Sequence, residues 1–330
     1  MKKILILRLS SIGDIVLTQP VTAVLREQFP DAEIDYLTKP AYLKVVQAFG
    51  TIDSIYLWEN KTELLHNLRQ RKYDLIIDLH AKLNTVLLSM ILPARKKITV
   101  NKRHLNRLML IKKLKKTSED TAVNRYLKVL GKIGIRRRDI NPQLKAEKQY
   151  QADITAQLKK INKRHDEILV GIFPGALHKT KQYPPGQYSD FISLVPTEYK
   201  CIFVLLGSPA EKELCREIKN RTAEAVHDLC GELSLGQLFF FIQELDMVIS
   251  GDTGPMHIAS ALNIPQLAIF GATHPCLGFS PQNPDARVLV ANLKCQPCSL
   301  YGNSQCPRKH FKCMSSITPQ LLLDNFTDHI

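Results

Sequence analysis

The sequence predicts an α/β protein built from two Rossmann-like, doubly wound domains that face each other across a cleft. Short apolar runs alternate with helix-like segments, and this alternation is typical of parallel sheets covered by helices. It is interrupted over residues 135–148 and then starts again. A chain of 330 residues is long enough for two domains that each bury a core. We therefore predict an N-terminal domain over residues 1–150 and a C-terminal domain over residues 151–330.

The strands are predicted from short runs rich in branched apolar residues. In the first domain they lie at residues 3–9, 33–37, 54–58, 73–79 and 97–100. After the chain breaker Asn141-Pro142, a helix over residues 150–162 opens the second domain. Its strands are predicted at residues 168–173, 201–206, 225–228, 247–250, 266–270 and 287–290. Open α/β sheets bind ligands at the carboxyl ends of their strands, so the loops that follow these strands are candidate sites.

A polar loop with Asp14 follows the first strand, and an apolar helix is predicted to begin near Gln19. This loop lacks the Gly-x-Gly-x-x-Gly pattern of dinucleotide-binding folds, which disfavours a nicotinamide or flavin enzyme. A carboxylate at a strand end and beside a helix start can accept a proton, so Asp14 is a candidate general base. The alternative is that Asp14 only caps the helix, which is the commoner use of an aspartate there.

The most informative stretch spans residues 250–273, which are predicted to form a strand end, a tight loop, a helix and a second strand. Gly251 and Gly254 are expected to adopt backbone angles that a side chain would forbid, and Pro255 suits a first helical turn. The unpaired N–H groups and positive end of this helix predict an anion site, with a diphosphate as the obvious candidate. His257 would add a side-chain donor. The alternative is an ordinary strand-to-helix connection.

Two further loops of the second domain follow strand ends. Lys181 lies after the strand at residues 168–173 and could neutralise a diphosphate. Glu211 lies after the strand at residues 201–206 and could accept hydrogen bonds from ribose hydroxyls. The alternatives are a surface lysine and a first-turn glutamate that the helix dipole favours.

Positive charge is concentrated in a basic block over residues 95–138, in a chain whose formal net charge is +14. The block contains only Glu119 and Asp120 as acids. Its cations are Arg95, Lys96, Lys97, Lys102, Arg103, Arg107, Lys112, Lys113, Lys115, Lys116, Arg125, Lys128, Lys132, Arg136, Arg137 and Arg138. Such a block attracts nucleic acid, an anionic membrane surface or a phosphorylated lipid. No nucleic-acid-binding module is recognisable, so a membrane face or an acidic acceptor is favoured, with a solvated basic face as the alternative.

The first residues show no secretory signal, and the apolar run at residues 85–92 is too short to cross a bilayer. We therefore expect a cytoplasmic protein with reduced cysteines. Four cysteines cluster in the sequence as Cys295, Cys298, Cys306 and Cys313. Their spacing could hold a tetrahedral zinc, but the second pair is too widely spaced for a standard zinc ribbon. Free thiols in a folded loop are the favoured interpretation, and no metal is expected.

Three motifs together resemble glycosyltransferase family 9, the ADP-heptose:lipopolysaccharide heptosyltransferases. They are LRLSSIGDIVLTQP, HKTKQYPPGQY and SGDTGPMHIASALNIPQLAIFGAT, and their order and spacing extend the resemblance over essentially the whole chain. The family implies a fold of the GT-B type, with the acceptor bound by the N-terminal half and the nucleotide sugar by the C-terminal half. It also implies that the final helix, around residues 318–326, packs back toward the first domain.

The resemblance further implies a role for individual residues. Asp14 matches the catalytic base. Donor binding is assigned to Lys181, Glu211, Asp252, Thr253, Gly254 and His257. Acceptor binding is expected of Ser10, Ser11, Gly13, Arg103 and Arg107. Where some members carry hydroxyl residues, this chain has Ala176 and Leu177, so phosphate contacts there are left to the backbone, His178 or Lys179.

The implied reaction is the inverting transfer of heptose from ADP-heptose to the lipopolysaccharide inner core, peripheral to the cytoplasmic face of the inner membrane. No Asp-x-Asp pair is present, so metal-dependent nucleotide binding is not supported, and we expect neither a cofactor nor a nucleic-acid partner. Two alternatives stay open. One is a related transferase with another nucleotide sugar or acceptor, and the other is a non-catalytic polyanion-binding protein on the same fold.

Overall fold

The computed structural model describes residues 1–114, 120–222 and 226–329. The chain divides into two compact units, each with one parallel sheet and helices. The first unit comprises Met1–Arg103 and Asp120–Lys145. The second unit takes in the segment that begins at His104 and everything from Ala146 onward. The predicted class, α/β with two doubly wound domains, is confirmed.

The elements before residue 146 are β1 Lys3–Leu7, α1 Ile12–Val16, α2 Gln19–Gln28, β2 Glu33–Thr38, α3 Leu43–Gln47, β3 Ser54–Leu57, α4 Lys61–Gln70, β4 Tyr73–Asp78, α5 Leu83–Ile91, β5 Ala94–Thr99, α6 His104–Ile111 and α7 Ala122–Leu127. Those after it are α8 Gln151–Ile161, β6 Ile168–Phe173, α9 Pro185–Leu194, β7 Cys201–Leu205, α10 Lys212–Lys219, β8 Val226–Asp228, α11 Leu235–Gln243, β9 Met247–Gly251, α12 Gly254–Ala261, β10 Gln266–Phe270, β11 Ala286–Val290, α13 Lys312–Ser315 and α14 Pro319–Thr327.

Strand order determines where each sheet can bind a ligand. The first sheet has the order β3-β2-β1-β4-β5 and the second has β11-β10-β9-β6-β7-β8, with all strand pairs parallel. Successive connections change direction between β1 and β4, and again between β6 and β9. Loops diverge at such a switch point and leave a crevice at the carboxyl ends of the strands. The loops after β1, β4, β6 and β9 are therefore the ones that position the candidate sites.

The predicted strands are all present, with two differences at element boundaries. A short helix, α1, precedes the predicted helix that begins at Gln19. Strand β5 begins at Ala94 rather than Lys97. Its first residues are charged, and an edge strand can expose such side chains to solvent. Charge on an edge strand also discourages pairing with another chain. The predicted start of β8 at Ala225 lies outside the described residues.

The last helix, α14, completes the core of the second unit. Its Phe326 is fully buried, with ring centroids 5.5 Å from Phe191 and 6.4 Å from Phe203. Phe191 lies on α9 and Phe203 on β7, so α14 covers one face of the second sheet. The expectation that α14 also turns toward the first domain stays a prediction.

Candidate active site

The Asp14 carboxylate lies in the first turn of α1, directly after β1. Arg8 Nη2 lies 2.7 Å from Asp14 Oδ2, and the Tyr126 hydroxyl donates to Asp14 Oδ1 at 3.0 Å. The Asp14 side chain is 26 % exposed, whereas that of Arg8 is 4 % exposed. Both carboxylate oxygens are thus held by protein donors while part of the group still faces outward.

The two donors to Asp14 are themselves fixed. Arg8 donates from Nε to the Ser10 carbonyl and from Nη1 to the Leu79 carbonyl, each at 2.7 Å. The Arg8 guanidinium also lies 5.5 Å from the centre of the Tyr126 ring, a cation–π distance. Burial raises the pKa of the Tyr126 hydroxyl, which therefore stays protonated and acts as a donor.

The loops after β4 and β5 add further ionisable groups around Asp14. Asp78 Oδ1 accepts hydrogen bonds from the backbone N–H groups of His80 and Ala81 at 2.8 Å and so orders the loop after β4. Burial, and then the nearby Arg8, lowers the pKa of His80 to about 3, so its imidazole is neutral at physiological pH. Burial and Arg8 likewise lower the pKa of Lys102 to about 8, against the opposing influence of Asp14. The surroundings of Asp14 are therefore rich in cations and favour an anionic ligand.

The predicted acceptor-binding residues fall into two groups. Ser10, Ser11 and Gly13 lie beside Asp14 in the chain, and Ser11 Oγ donates to Asp14 Oδ2 at 3.3 Å. Arg103 belongs to the first unit. Arg107 is different, because it lies on α6 in the second unit, is 3 % exposed and stacks over Phe279 at 5.6 Å. The expected contact of Arg107 with the acceptor stays a prediction.

Arg103 instead contributes to a basic cleft of about 300 Å³ in the first unit. The cleft is lined by Thr99, Asn101, Arg103, Arg125, Lys128, Val129 and Lys132. Four of these residues are cationic, and Lys128 pairs with Asp120 at 2.5 Å. The part of the basic block that follows β5 thus forms a concave surface suited to phosphate or carboxylate groups.

In the second unit, Lys181 and Asp252 form one ionic pair after β6 and β9. Lys181 Nζ lies 2.9 Å from Asp252 Oδ2, and the Thr273 hydroxyl donates to the same oxygen at 2.7 Å. The side chains of Lys181 and Asp252 are 15 % and 10 % exposed. An ammonium group carries three N–H donors, so Asp252 can position Lys181 while leaving it able to contact an anion.

The helix α12 begins immediately beside this pair. Thr253 precedes α12 in an extended conformation, and its side chain makes no capping hydrogen bond to the first turn. His257 lies in that turn and is 5 % exposed. The prediction that Gly251 and Gly254 adopt backbone angles forbidden to a side chain is wrong, because neither has a left-handed backbone. Gly251 is needed for close approach instead, since a Cβ there would lie 2.8 Å from the Lys181 carbonyl oxygen.

Glu211 lies between the ends of β6 and β7. Its Oε2 accepts hydrogen bonds from the backbone N–H of Ser208 at 2.6 Å and from the Ser208 hydroxyl at 2.9 Å. A Cβ at Gly175 would lie 1.8 Å from Glu211 Oε1, so the carboxylate rests against the backbone of the loop after β6. Glu211 therefore stabilises the turn into α10, and its contact with a ribose stays a prediction.

The four clustered cysteines are near one another in space. Burial, and then the neighbouring cysteines of the cluster, raises the pKa of the Cys298 and Cys313 thiols, and Cys295 Sγ lies 3.8 Å from His310 Nε2. Among the described residues, the metal-type group whose ligand atoms all lie within 4.8 Å of one another is a different one, Cys215, Asp228 and Cys230. That the four clustered cysteines are free thiols stays a prediction.

Sequence reasoning missed Arg8, Tyr126 and Lys102 as members of the group around Asp14. Arg8 carried a usable signal, because a cation at the end of a buried strand needs a partner nearby. Tyr126 carried none, since 112 residues separate it from Asp14. Lys102 was included in the basic block but could not be distinguished from its neighbours there.

Two units of parallel sheet, each with polar loops at its switch point, define the GT-B class of glycosyltransferase fold. The solved structure of Escherichia coli ADP-heptose lps heptosyltransferase II is similar over 99% of this chain and 98% of that chain, with a TM-score of 0.78 and 21% identity. The sequence profile of glycosyltransferase family 9 (heptosyltransferase) matches residues 61–308. The chain belongs to this family.

Curated relatives agree with that assignment. Lipooligosaccharide heptosyltransferase 2 of Campylobacter jejuni is 29% identical over 164 residues, which cover 49% of this chain and 50% of the relative. The match therefore spans about half the length of that relative. Lipooligosaccharide heptosyltransferase 2 of Haemophilus influenzae is 24% identical over 352 aligned positions. That alignment covers 98% of this chain and 98% of the relative. Within the described residues, none of the helices combines the length and the apolar character needed to cross a bilayer.

Proposed function

We propose that the chain transfers heptose from ADP-heptose to a sugar hydroxyl of the lipopolysaccharide inner core, with inversion at the anomeric carbon. Membership of glycosyltransferase family 9 supports the transferase class. The names of the relatives support the heptose donor and the lipopolysaccharide or lipooligosaccharide acceptor.

The observation that carries the proposal is the arrangement of Asp14. Inversion in one step requires a base that removes the proton of the acceptor hydroxyl. Asp14 forms an ion pair with Arg8, it is oriented by Tyr126, and a quarter of its side chain is exposed. In the proposed reaction the exposed part of the carboxylate accepts this proton while the hydroxyl oxygen attacks the anomeric carbon.

Departure of ADP requires positive charge at the diphosphate. Lys181, positioned by Asp252, would supply a cation, and the first turn of α12 would supply backbone N–H groups and the positive end of the helix dipole. His257 would add a side-chain donor there. Because these groups can neutralise the leaving diphosphate, we propose that neither a divalent metal nor a cofactor takes part.

The acceptor is proposed to bind the first unit. Lys102 near Asp14 and the basic cleft that contains Arg103 would hold the acidic and phosphorylated groups of a lipid-linked core oligosaccharide. An acceptor of this kind stays in the membrane, so the enzyme would work as a peripheral protein at the cytoplasmic face.

The test is Asp14→Asn, which keeps the size of the side chain and removes the base. We expect turnover to fall by at least roughly 10²-fold. The Kd for ADP, measured by calorimetry, should change by less than about twofold, because Asp14 is not among the residues proposed to bind the donor. Asp31→Asn, at an exposed aspartate before β2, is the matched control. Equal loss of turnover and ADP binding in the Asp14 variant would make Asp14 a structural residue. Assays with a panel of nucleotide sugars identify the donor.

A further inference from the structure

The helix α5 presents a stripe of apolar side chains to solvent. Leu83, Leu87, Met90 and Ile91 are 71%, 50%, 66% and 50% exposed, whereas Leu88 is buried. Their spacing of four, three and one residues puts the exposed side chains on one face of the helix. Single exposed apolar residues are common on protein surfaces, but a continuous stripe of four indicates an interaction site.

Cations border this stripe. Arg95, Lys96 and Lys97 are exposed on the edge strand β5, which directly follows α5. Lys97 Nζ donates to the Met90 carbonyl oxygen at 2.9 Å, which holds this ammonium group at the end of the stripe. No acidic residue occurs between Asp78 and Glu119 in the sequence, and of the three cations on β5 Arg95 lies 3.3 Å from a carboxylate, that of Asp74.

The basic cleft continues the same surface. Lys96 Nζ donates to the Lys132 carbonyl oxygen at 2.6 Å, and Lys132 lines the cleft together with Arg103 and Lys128. The α5 stripe, the cations of β5 and the cleft all belong to the first unit. The apolar stripe is therefore followed by cations on β5 and then by the basic cleft.

We propose that α5 is the membrane-docking helix of this enzyme, with its apolar stripe at the headgroup boundary of an anionic bilayer and the cations of β5 on lipid phosphates. An apolar face flanked by Lys and Arg is the pattern of interfacial helices, and anionic lipid attracts such cations. A second copy of the chain is the poorer occupant, because a symmetric contact through α5 would bring two cationic rims together. This inference rests on the proposed function, since a lipid-linked acceptor requires the enzyme to work at the membrane.

Vesicle binding tests the proposal. The full chain is expected to sediment with vesicles that contain phosphatidylglycerol and to bind at least about tenfold more weakly to vesicles of phosphatidylcholine alone. The triple variant L83Q/L87Q/M90Q should bind anionic vesicles at least about tenfold more weakly than the wild type. The double variant L194Q/L321Q, at apolar residues of the second unit that are 45% and 41% exposed, should bind like the wild type. Equal binding of the triple variant and the wild type would overturn the proposal.

A fluorescence measurement gives a readout that does not depend on loss of binding. Leu87→Trp should shift its emission to shorter wavelength when anionic vesicles are added, above the constant signal of Trp58, whereas Leu321→Trp should not. An unshifted Leu87→Trp in vesicle-bound protein would contradict docking through α5. So would a wild-type dimer that the triple variant converts to monomer while vesicle binding is unchanged.

An activity assay separates this inference from the proposed function. With a water-soluble, delipidated acceptor, the triple variant should turn over at the wild-type rate, because α5 carries none of the residues proposed for catalysis. With acceptor presented in anionic vesicles its rate should fall. If the wild type transfers no heptose, the proposed function fails, yet the vesicle and fluorescence results still decide the role of α5.

Discussion

The hydroxyl of Tyr126 fixes one oxygen of Asp14, whereas Arg8 and the Ser11 hydroxyl contact the other. Tyr126→Phe removes a single charge-assisted hydrogen bond without changing the packing of the ring. We expect kcat to fall roughly tenfold, because the carboxylate loses its fixed orientation, with the KM for the donor unchanged. Steady-state kinetics measure both constants, and Tyr199→Phe, in the turn before β7, is the control. An unchanged kcat would show that the contacts of Arg8 and Ser11 orient the base without Tyr126.

Lys102 gives the site a pH dependence. Burial lowers the pKa of this lysine to about 8, so it is charged below that pH and neutral above it. Its attraction for an anionic acceptor is therefore present at lower pH and is lost as the pH rises through 8. We expect the KM for the acceptor to increase over that range in the wild type.

Lys102→Arg is the matched variant for that measurement, because a guanidinium stays charged throughout this range. The increase in acceptor KM should be absent in Lys102→Arg, while kcat profiles of the two proteins stay parallel. The same increase in both proteins would assign the pH dependence to another group.

At the scale of elements, the strands could be predicted from the sequence where both faces of a strand are buried. Strands β1, β4 and β9 are buried on both faces, so their apolar runs indicated them directly. Helix α1 escaped prediction because it is only five residues long and contains Gly13, which disfavours a helix. The charged start of β5 resembles a loop, and only its edge position allows it to be a strand.

The positions of the candidate-site loops could be predicted from the strand pattern, but the contacts between these loops could not. Sequence spacing placed Asp14, Lys181 and Asp252 after strand ends, which the structure bears out. The ionic pair of Lys181 with Asp252 joins loops 71 residues apart in sequence, and no local pattern encodes such a pair. The need for a glycine at position 251 could not be predicted either, because it depends on the Lys181 carbonyl of the other loop.

Gly251→Ala should therefore disturb the junction of these loops. The added Cβ would meet the Lys181 carbonyl oxygen at 2.8 Å, and a backbone atom cannot rotate away. We expect a loss of about 1–3 kcal/mol in the free energy of unfolding and weaker ADP binding, because Lys181 must shift. Denaturant unfolding and calorimetry measure these quantities.

Gly131→Ala is the control for that substitution, since a Cβ at Gly131 would meet nothing within 4 Å. Its free energy of unfolding should change by less than about 0.5 kcal/mol. Equal effects of the two substitutions would mean that the close approach at Gly251 has no energetic consequence.

For the whole molecule, the proposed mechanism requires that protein groups alone neutralise ADP. Turnover should therefore be unchanged after treatment with EDTA, and added Mg²⁺ should not raise it, because Lys181 and the start of α12 supply the positive charge. Initial rates measure this, with thermal unfolding followed in parallel to detect any loss of a structural metal. Activity that EDTA abolishes and Mg²⁺ restores, at constant stability, would contradict the metal-free mechanism.

The second unit is assembled from two separate stretches of sequence. Residues 104–114 leave the N-terminal half of the chain and join the second unit, where Arg107 stacks over Phe279 and Lys113 donates to the Gln296 carbonyl oxygen. Recombination between relatives at residue 146 alone would therefore place a foreign α6 against the native Phe279 and Gln296. A chimaera that exchanges the second unit between members of this family has to carry residues 104–114 together with the residues from Ala146 onward.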